Sequence, residues 1–581
     1  MGIVNVRTVD ICQPIPEVPA RRLRIALLVE PRPMLAWECG MIAKLLESHC
    51  AEIVALVTCN SAQEPAHSSE GAHRRSLIER AARRLTNKWQ RRLDDKVGGC
   101  LPYALEASSP PEQLRDVPRL ALAYANDACG STEAPAIQRI RSLDIDVFIA
   151  LAAGFPRREL LNLARYGTWR LVHGSDDVPD HLPPGFREVL HKKTVTGSTL
   201  ELWREDPRER KVIGRTLSAT CLMSARRNTN DLYWKASLQI PRKLQELFRV
   251  GPDLFFAALD DNESAHAFTR TTHRAPELFD EFALLARTWW RIYSERIRRF
   301  FVSYRWVLLF DIENEFSLTS FPFTKIRPPL DRLWADPHVL ARDGKYFVFI
   351  EELPYSENKG HISMMEIRED GTHTTPRRIL EKPYHLSNPC VFEHEGQLFL
   401  IPESARNRSV DLYRCVSFPD QWEHCETLLK DVHAVDTTVL FHRSRWWLFA
   451  NIREATCGAG NDDLFLYHSD VLLGGHWRAH PRNPVVSDVT RARPAGKVFE
   501  NDGRLYRPAQ DCSVRYGYGI RIQEIVEISD SEYREREVTF IEPRRELGLL
   551  ATHSFSRAGR IVVSDGLEET WHLIPAARIS V

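Results

Sequence analysis

The sequence predicts an N-terminal α/β domain with a Rossmann-like parallel sheet, followed by an all-β five-bladed propeller. Three observations lead there. The chain has 581 residues, too many for one hydrophobic core. Short apolar runs alternate with helical stretches in its first part. A hairpin-like segment recurs five times in its second half.

The composition sets outer bounds. Apolar residues make up 43% and charged residues 27%, ordinary values for a globular chain. Basic and acidic side chains balance at 78 each, so no global field draws nucleic acid or an anionic membrane. The 12 cysteines are scattered without C-x-x-C or zinc spacing. The first twenty residues lack an apolar secretion segment, and no apolar run is long enough to span a bilayer. The expectation is a soluble cytoplasmic protein with reduced thiols and no metal.

Residues 1–21 read as a flexible arm. The apolar runs Arg24–Val29 and Ile53–Val57 flank a helical stretch from Leu35 to Ser48, which makes a βαβ unit. The stretch 70–96 is helical and basic, with Arg74, Arg75, Arg80, Arg83, Arg84, Arg91 and Arg92. It reads first as a solvated face with Glu79, Asp94 and Asp95 as local partners, and otherwise as a surface for peripheral contact with acidic lipid or phosphate. Asp146–Leu151 and Trp169–His173 are further strands, and Thr196-Gly-Ser-Thr199 opens another apolar run to Leu202. The α/β domain is placed at 22–235, a helical connector at 236–303 and the propeller at 304–581.

The order of elements between residues 22 and 235 resembles the N-terminal domain of the formyltransferases that use 10-formyltetrahydrofolate. The most specific part is the run from Asp146 to Leu202. The resemblance implies that cofactor and formyl transfer to a sugar amine. In that family a glycine is followed three and five residues later by Asn and His, and an Asp lies eleven residues beyond the "TG" glycine. Counted from Gly167 and Gly197, these positions hold Arg170, Val172 and Arg208. His173 lies one residue late, and Glu205 and Asp206 lie two or three residues early. Either the register is shifted and His173 acts with Asp206 or Glu205, or the site no longer transfers formyl groups. No GxGxxG or phosphate-binding loop is present.

The five repeats are Trp334–Glu352, Leu386–Ser404, Val435–Ile452, Pro494–Asp511 and Leu550–Gly566. Their turn residues Gly344, Gly396, Ser444, Gly503 and Gly559 are spaced by 52, 48, 59 and 56 residues. Each pairs two alternating strands around a polar turn and leaves room for two more strands, the size of a propeller blade. Arg305–Asp311 is a strand suited to closing the ring with the last blade.

Two polar columns follow from the repeat. One holds Asp336, Asn388 and Asp436 at the start of the first strands; the other holds Glu351, Glu403, Asn451 and Gln510 at the end of the second. In an antiparallel hairpin these ends share one edge, so both columns face one rim, where gathered carboxyl groups perturb one another. Arg507 and Asp511, with Arg504, Arg515 and Tyr516, add groups suited to a sugar phosphate, or to salt bridges between blades. Structural roles remain open for each: Asp and Asn at strand starts also bond neighbouring backbone.

Asp336 and Asp436 look like two of the acids of five-bladed glycosidases acting on arabinan, xylan and fructan, with Glu403 as candidate third. More closely, "WADPHV", "LSNPCVFEHEGQLFLIPES" and "RLYRPAQDCSVRYGYGI" resemble the N-terminal module of the glucosamine inositolphosphorylceramide transferases. In plants that module precedes a glycosyltransferase domain; in bacteria similar modules follow formyltransferase-like domains. The resemblances imply glycan or glycolipid biosynthesis, with a carbohydrate or glycolipid substrate and no nucleic acid. The alternatives are a non-catalytic glycan-binding scaffold, or a propeller glycosidase using Asp336, Asp436 and Glu403.

Overall fold

The computed structural model describes residues 21–59, 102–122, 135–151, 158–174, 184–204, 210–260, 278–312, 324–454 and 460–571. The arm at 1–20, the basic stretch 70–96, Glu205 and Asp206 lie outside these residues. The chain divides into two compact units, essentially residues 15–291 and the remainder from 292 onward.

The first unit is built on a seven-stranded sheet: β1 (Leu23–Val29), β2 (Ala51–Cys59), β3 (Arg119–Leu122), β4 (Val147–Ala150), β5 (Thr168–His173), β6 (Val195–Trp203) and β7 (Lys211–Ala219), ordered β3-β2-β1-β4-β5-β6-β7. The first five in that order run parallel, and β6 and β7 are antiparallel. β1 shows why its sequence is apolar almost throughout. Leu23, Ile25 and Leu27 enter a core with Trp37, Met41 and Trp169, while Ala26 and Leu28 enter a second core with Val57, Phe148 and Ile140. Both faces are covered, so neither can be polar.

The sequence places residues 236–303 between the domains. In the structure the helices Gln239–Val250 and Pro252–Asp260 contribute Ile240, Leu244, Leu247 and Phe255 to the same core as β1. Their apolar faces thus belong to the α/β unit. No helix among the described residues is long and apolar enough to cross a membrane.

The second unit is a five-bladed propeller. Blade one runs from Arg332 to Leu380, blade two from Ser387 to Lys430 and blade three from Ala434 to Ala479. Blade four runs from Arg493 to Ile541. Blade five combines Leu549–Ala551, Phe555–Ala558 and Ile561–Trp571 with Val302–Ile312 and Thr324–Ile326 from the start of the unit. Val302–Ile312 pairs along all 11 of its residues with Ile561–Trp571, so the expected closing strand locks the two ends of the ring together.

The hairpin turns explain the repeat's spacing. Asp343-Gly344, Glu395-Gly396, Arg443-Ser444 and Asp502-Gly503 all have positive φ, the two-residue turn that matches strand twist. In blade five Ala558 pairs with Ile561, which puts Gly559 first in its turn instead of second. Each seam between blades has its own apolar cluster. Phe349 and Leu400 join blades one and two, Ile401 and Leu448 blades two and three, and Phe449 and Ile525 blades three and four. Ile522 and Val562 join blades four and five, and Val563 and Val348 complete the circle.

At the seam of blades four and five the inner strands nearly touch. A Cβ on Gly496 would lie 2.0 Å from the carbonyl oxygen of Phe555, and its φ of 138° disfavours any side chain. Gly496→Ala is expected to destabilise the propeller by about 3 kcal/mol or more. Calorimetry of the full chain checks this; an unchanged melting temperature would show that the seam relaxes freely.

Candidate functional site

The polar columns meet at one mouth of the ring, and a backbone irregularity puts them there. The first strands of blades one, two and three each carry a bulge, seen as register breaks between Ala335 and His338, Ser387 and Cys390, and Val435 and Thr438. The bulged residues are Asp336, Asn388 and Asp436, with φ of 50°, 39° and 49°. That left-handed conformation is strained for most residues and best tolerated by Asp and Asn. A bulge releases one N–H from the ladder and re-aims the side chain.

The released N–H groups all go to a carboxylate of the preceding blade. The amide of Asp336 donates to Asp565 Oδ2 at 3.0 Å, from blade five. The amide of Asn388 donates to Asp336 Oδ2 at 3.1 Å, and that of Asp436 to Glu403 Oε2 at 3.2 Å. Asp436 continues the chain into blade four, accepting from Arg493 Nε and Gln510 Nε2, both at 2.6 Å. Arg493 also donates to Asn461 and to the Tyr516 hydroxyl, and its guanidinium lies 4.9 Å from that ring's centre.

His553 completes the rim. Its Nε2 lies 2.9 Å from Asp336 and its Nδ1 2.9 Å from Asp565, with all three residues buried. Burial opposes charge on this imidazole, but the two carboxylates win and hold its pKa well above the usual histidine value. Asp565 is correspondingly held below its ordinary value against the pull of burial. These three groups lie close enough to ligate a metal ion. With both imidazole nitrogens already facing carboxylates, the arrangement as built is a closed ion triad.

Glu403 behaves oppositely. Burial, then the neighbouring Asp436 charge, push its pKa well above the normal carboxylate range, although Arg493 pulls it down. Glu351 is also raised, first by burial, with His385 opposing at 3.2 Å. The mouth thus contains proton-holding acids beside paired carboxylates.

The other sequence candidates divide. Asn451 donates to Asp463 O at 2.8 Å, and its buried Oδ1 has no partner; neither has Asn388 Nδ2. Arg507 is fully buried and forked onto Glu535 at 2.9 Å, so its guanidinium is committed within blade four. Asp511 is likewise held by Arg521 at 2.7 Å. In the α/β unit His173 packs against Tyr233 and Trp37, with ring centres 4.3 and 6.2 Å away. Burial pushes its pKa down to about 3, and the Arg170 charge adds to this, so it is neutral at pH 7.

Sequence reasoning missed Arg493, His553, Asp565 and His385. Blade five's offset turn hid part of the site. Aligning on Gly559 puts Ala551 and Gly566 in the columns, whereas the register matches Thr552 and Leu567 to Asp336 and Glu351. The local signal was present in "ATHS" and "VSDG", which bring His553 and Asp565 to the rim.

The propeller has a family match. Residues 327–555 match the family "Glucosamine inositolphosphorylceramide transferase 1, N-terminal". A relative of that name from Arabidopsis thaliana is 33% identical over 226 residues, covering 38% of this chain and 29% of the relative. One from Oryza sativa subsp. japonica is 32% identical over 204 residues, covering 35% and 27%. The chain thus spans under a third of these relatives' length. Both are plant proteins and lend no support to a bacterial-type arrangement. The family match lies wholly outside the α/β unit, and the formyltransferase resemblance gains nothing from it. Among solved structures, a family 117 glycoside hydrolase from Zobellia galactanivorans aligns at 11% identity and TM-score 0.31, covering 46% of this chain and 91% of its own. A Coprinopsis cinerea GH62 α-L-arabinofuranosidase aligns at 16% identity and TM-score 0.31, covering 39% and 78%.

The proton balance gives a pH signature. Glu403 and Glu351, both raised, hold their protons to higher pH than the unfolded chain, which loses them above about pH 4.3. His553 keeps one that the unfolded chain loses above about pH 6.5. Each of these groups binds more protons in the native state than in the unfolded chain, so its own contribution to stability falls as pH rises; the buried His173, His338 and His480, held neutral, give the opposite slope below about pH 6.5. Glu403→Gln removes one contributor and is expected to flatten the slope, raising the melting temperature at pH 8 by about 2 °C or more and having less effect at pH 5. An unchanged slope in scanning calorimetry would place the Glu403 proton elsewhere.

Proposed function

We propose that the propeller mouth recognises the sugar headgroup of a glycolipid and serves glycolipid glycosylation. The observation that carries this is the rim itself. Acid, amide, guanidinium and phenol groups from four blades are held side by side, and Asn388 Nδ2 and Asn451 Oδ1 lack partners although buried. Buried polar atoms without partners cost about 1–3 kcal/mol each, which a ligand hydroxyl offsets. Tyr516, an exposed residue at the rim between Arg493 and His553, offers a sugar an aromatic ring to stack on. The matched relatives, named as glucosamine inositolphosphorylceramide transferases, support a phosphoinositol-linked sugar as the ligand class.

A second reading, cleavage or transfer of a glycosidic bond at the propeller, is favoured by one observation. Glu403 holds a proton next to Asp436, a pairing suited to general acid chemistry. Two features weigh against it. The two side chains are hydrogen-bonded to each other, tighter than the about 5 Å or more that a carboxylate pair needs to flank a sugar bond. Asp336 and Asp436 are also occupied by cross-blade partners. Recognition is the better supported role.

The test is calorimetric titration of the full chain with glucosaminyl-inositol phosphate and with free hexosamine. Wild type is expected to bind the former. Tyr516→Ala and Asn388→Ala are each expected to weaken binding about fivefold to tenfold, the worth of one aromatic face or one satisfied polar group. Glu403→Gln retaining affinity while abolishing turnover would move the assignment to catalysis. Absence of binding by folded wild type would end the recognition reading.

A further inference from the structure

One level along the inner strands from the bulges, the five blades share another set of positions. Four residues before the last paired residue of each hairpin lie His338, Cys390, Thr438, Lys497 and Ser554. His338, Cys390, Thr438 and Ser554 are buried to 2%, 0%, 0% and 6% exposure, and Lys497 is half-buried. His338 Nδ1 accepts the Val391 amide at 3.3 Å, which leaves the imidazole proton on Nε2. That Nε2, Thr438 Oγ1 and Ser554 Oγ are all buried without a partner. Among the described residues, no carboxylate lies within ion-pair distance of Lys497.

Lys497 belongs to blade four, whose neighbours in the ring are blades three and five. Its charge nevertheless acts on blades one and two. Burial pushes His338 down to about 3 and Lys497 adds to this; Lys497 also pulls the Cys390 thiol down against burial. Lys497 holds in blade four the inner-strand position that His338, Cys390, Thr438 and Ser554 hold in theirs, and its reach to blades one and two agrees with a side chain turned toward the ring axis. The axial channel therefore gathers one cation, one imidazole N–H and two hydroxyls; the Asp336 carboxylate also acts on His338 from the rim, but it is already engaged by His553 and the Asn388 amide. A half-buried cation without a close counter-charge gains an ion pair from an anion seated beside it. Water satisfies hydroxyls but leaves the charge, whereas an anion satisfies both.

We propose that the axial channel of the propeller holds a small inorganic anion, halide or phosphate, bound by Lys497, His338, Thr438 and Ser554. This site is separate from the sugar reading and stands without it. The anion ties four blades to one centre and fixes the charge beneath the acidic rim.

The full chain is melted at constant ionic strength while gluconate, a much larger anion, is replaced by chloride, bromide or phosphate. Wild type is expected to gain about 3 °C with a saturable midpoint in at least one series. The series that responds separates halide from phosphate. Lys497→Met is expected to lose the dependence, and Thr438→Val, which keeps the cation, to shift the midpoint at least fivefold. Crystals soaked in bromide are expected to show anomalous density between Lys497 and His338 if the halide series responds. Equal responses in wild type and both variants, or no response to any of the three anions, would overturn the site.

Discussion

The mouth depends on one repeated constraint: an inner strand that bulges in a left-handed conformation must find an acceptor for the N–H it releases. In blades one to three that acceptor is a carboxylate from the blade before. The requirement is local, because a buried unpaired N–H is expensive. Its consequence spans the ring, because each acceptor comes from a different sheet. Asp565, Asp336 and Glu403 thus register blade five to one, one to two and two to three, at the rim where apolar packing ends. A propeller seam of Leu, Ile and Phe tolerates sliding; a directional bond to a fixed amide does not.

The same constraint explains why so many ionisable groups stand in a buried rim. Carboxylates chosen as amide acceptors cannot disperse, so their charges must be managed where they are. The ring does this in two ways. His553 and Arg493 neutralise Asp336, Asp565 and Asp436 directly. Glu403 and Glu351 are pushed toward their protonated forms instead, by burial and by the neighbouring Asp436 and Asp336 charges. Perturbed protonation in this mouth is therefore first a product of architecture, and only second a sign of chemistry.

The sequence disclosed the propeller well because a ring of blades repeats its turn chemistry. Asp343-Gly344, Glu395-Gly396 and Asp502-Gly503 are local signals, and the apolar runs beside them follow from blades that pack both faces against their neighbours. The polar columns were readable for the same reason, since Asp336, Asn388 and Asp436 occupy equal offsets from their turns. What escaped was whatever breaks the repeat. Arg493 ends a first strand that is split by Gly496, and His553 and Asp565 sit in a blade whose turn is offset by one residue. In the α/β unit, buried strands were visible as apolar runs, but the edge strand Arg119–Leu122, with its exposed alternate residues, gave a weak signal. The helices after residue 238 were visible as helices; that they pack on the sheet is a tertiary fact no local pattern carries.

The departures from fivefold repetition give the mouth its direction. Blades one to three present acids and an amide from their bulges, whereas blades four and five present Arg493, Tyr516 and His553. A ligand lying across the opening meets acceptors on one side and donors with an aromatic face on the other. On the proposed reading, a sugar ring tethered to a phosphate matches that polarity, with hydroxyl donors toward Glu351 and Asn451 and the anionic end toward the donor side, where it would share the Arg493 guanidinium with Asp436. The reversed pose sets the phosphate against carboxylates and leaves the guanidinium opposite a hydroxyl. Like-charge contacts of that kind cost several kcal/mol in a partly buried site, so orientation is settled by repulsion as much as by attraction. An uncharged sugar loses this discrimination and keeps only the stacking and amide contacts, which is why the linked phosphate, rather than the sugar alone, should decide how firmly the mouth holds its ligand.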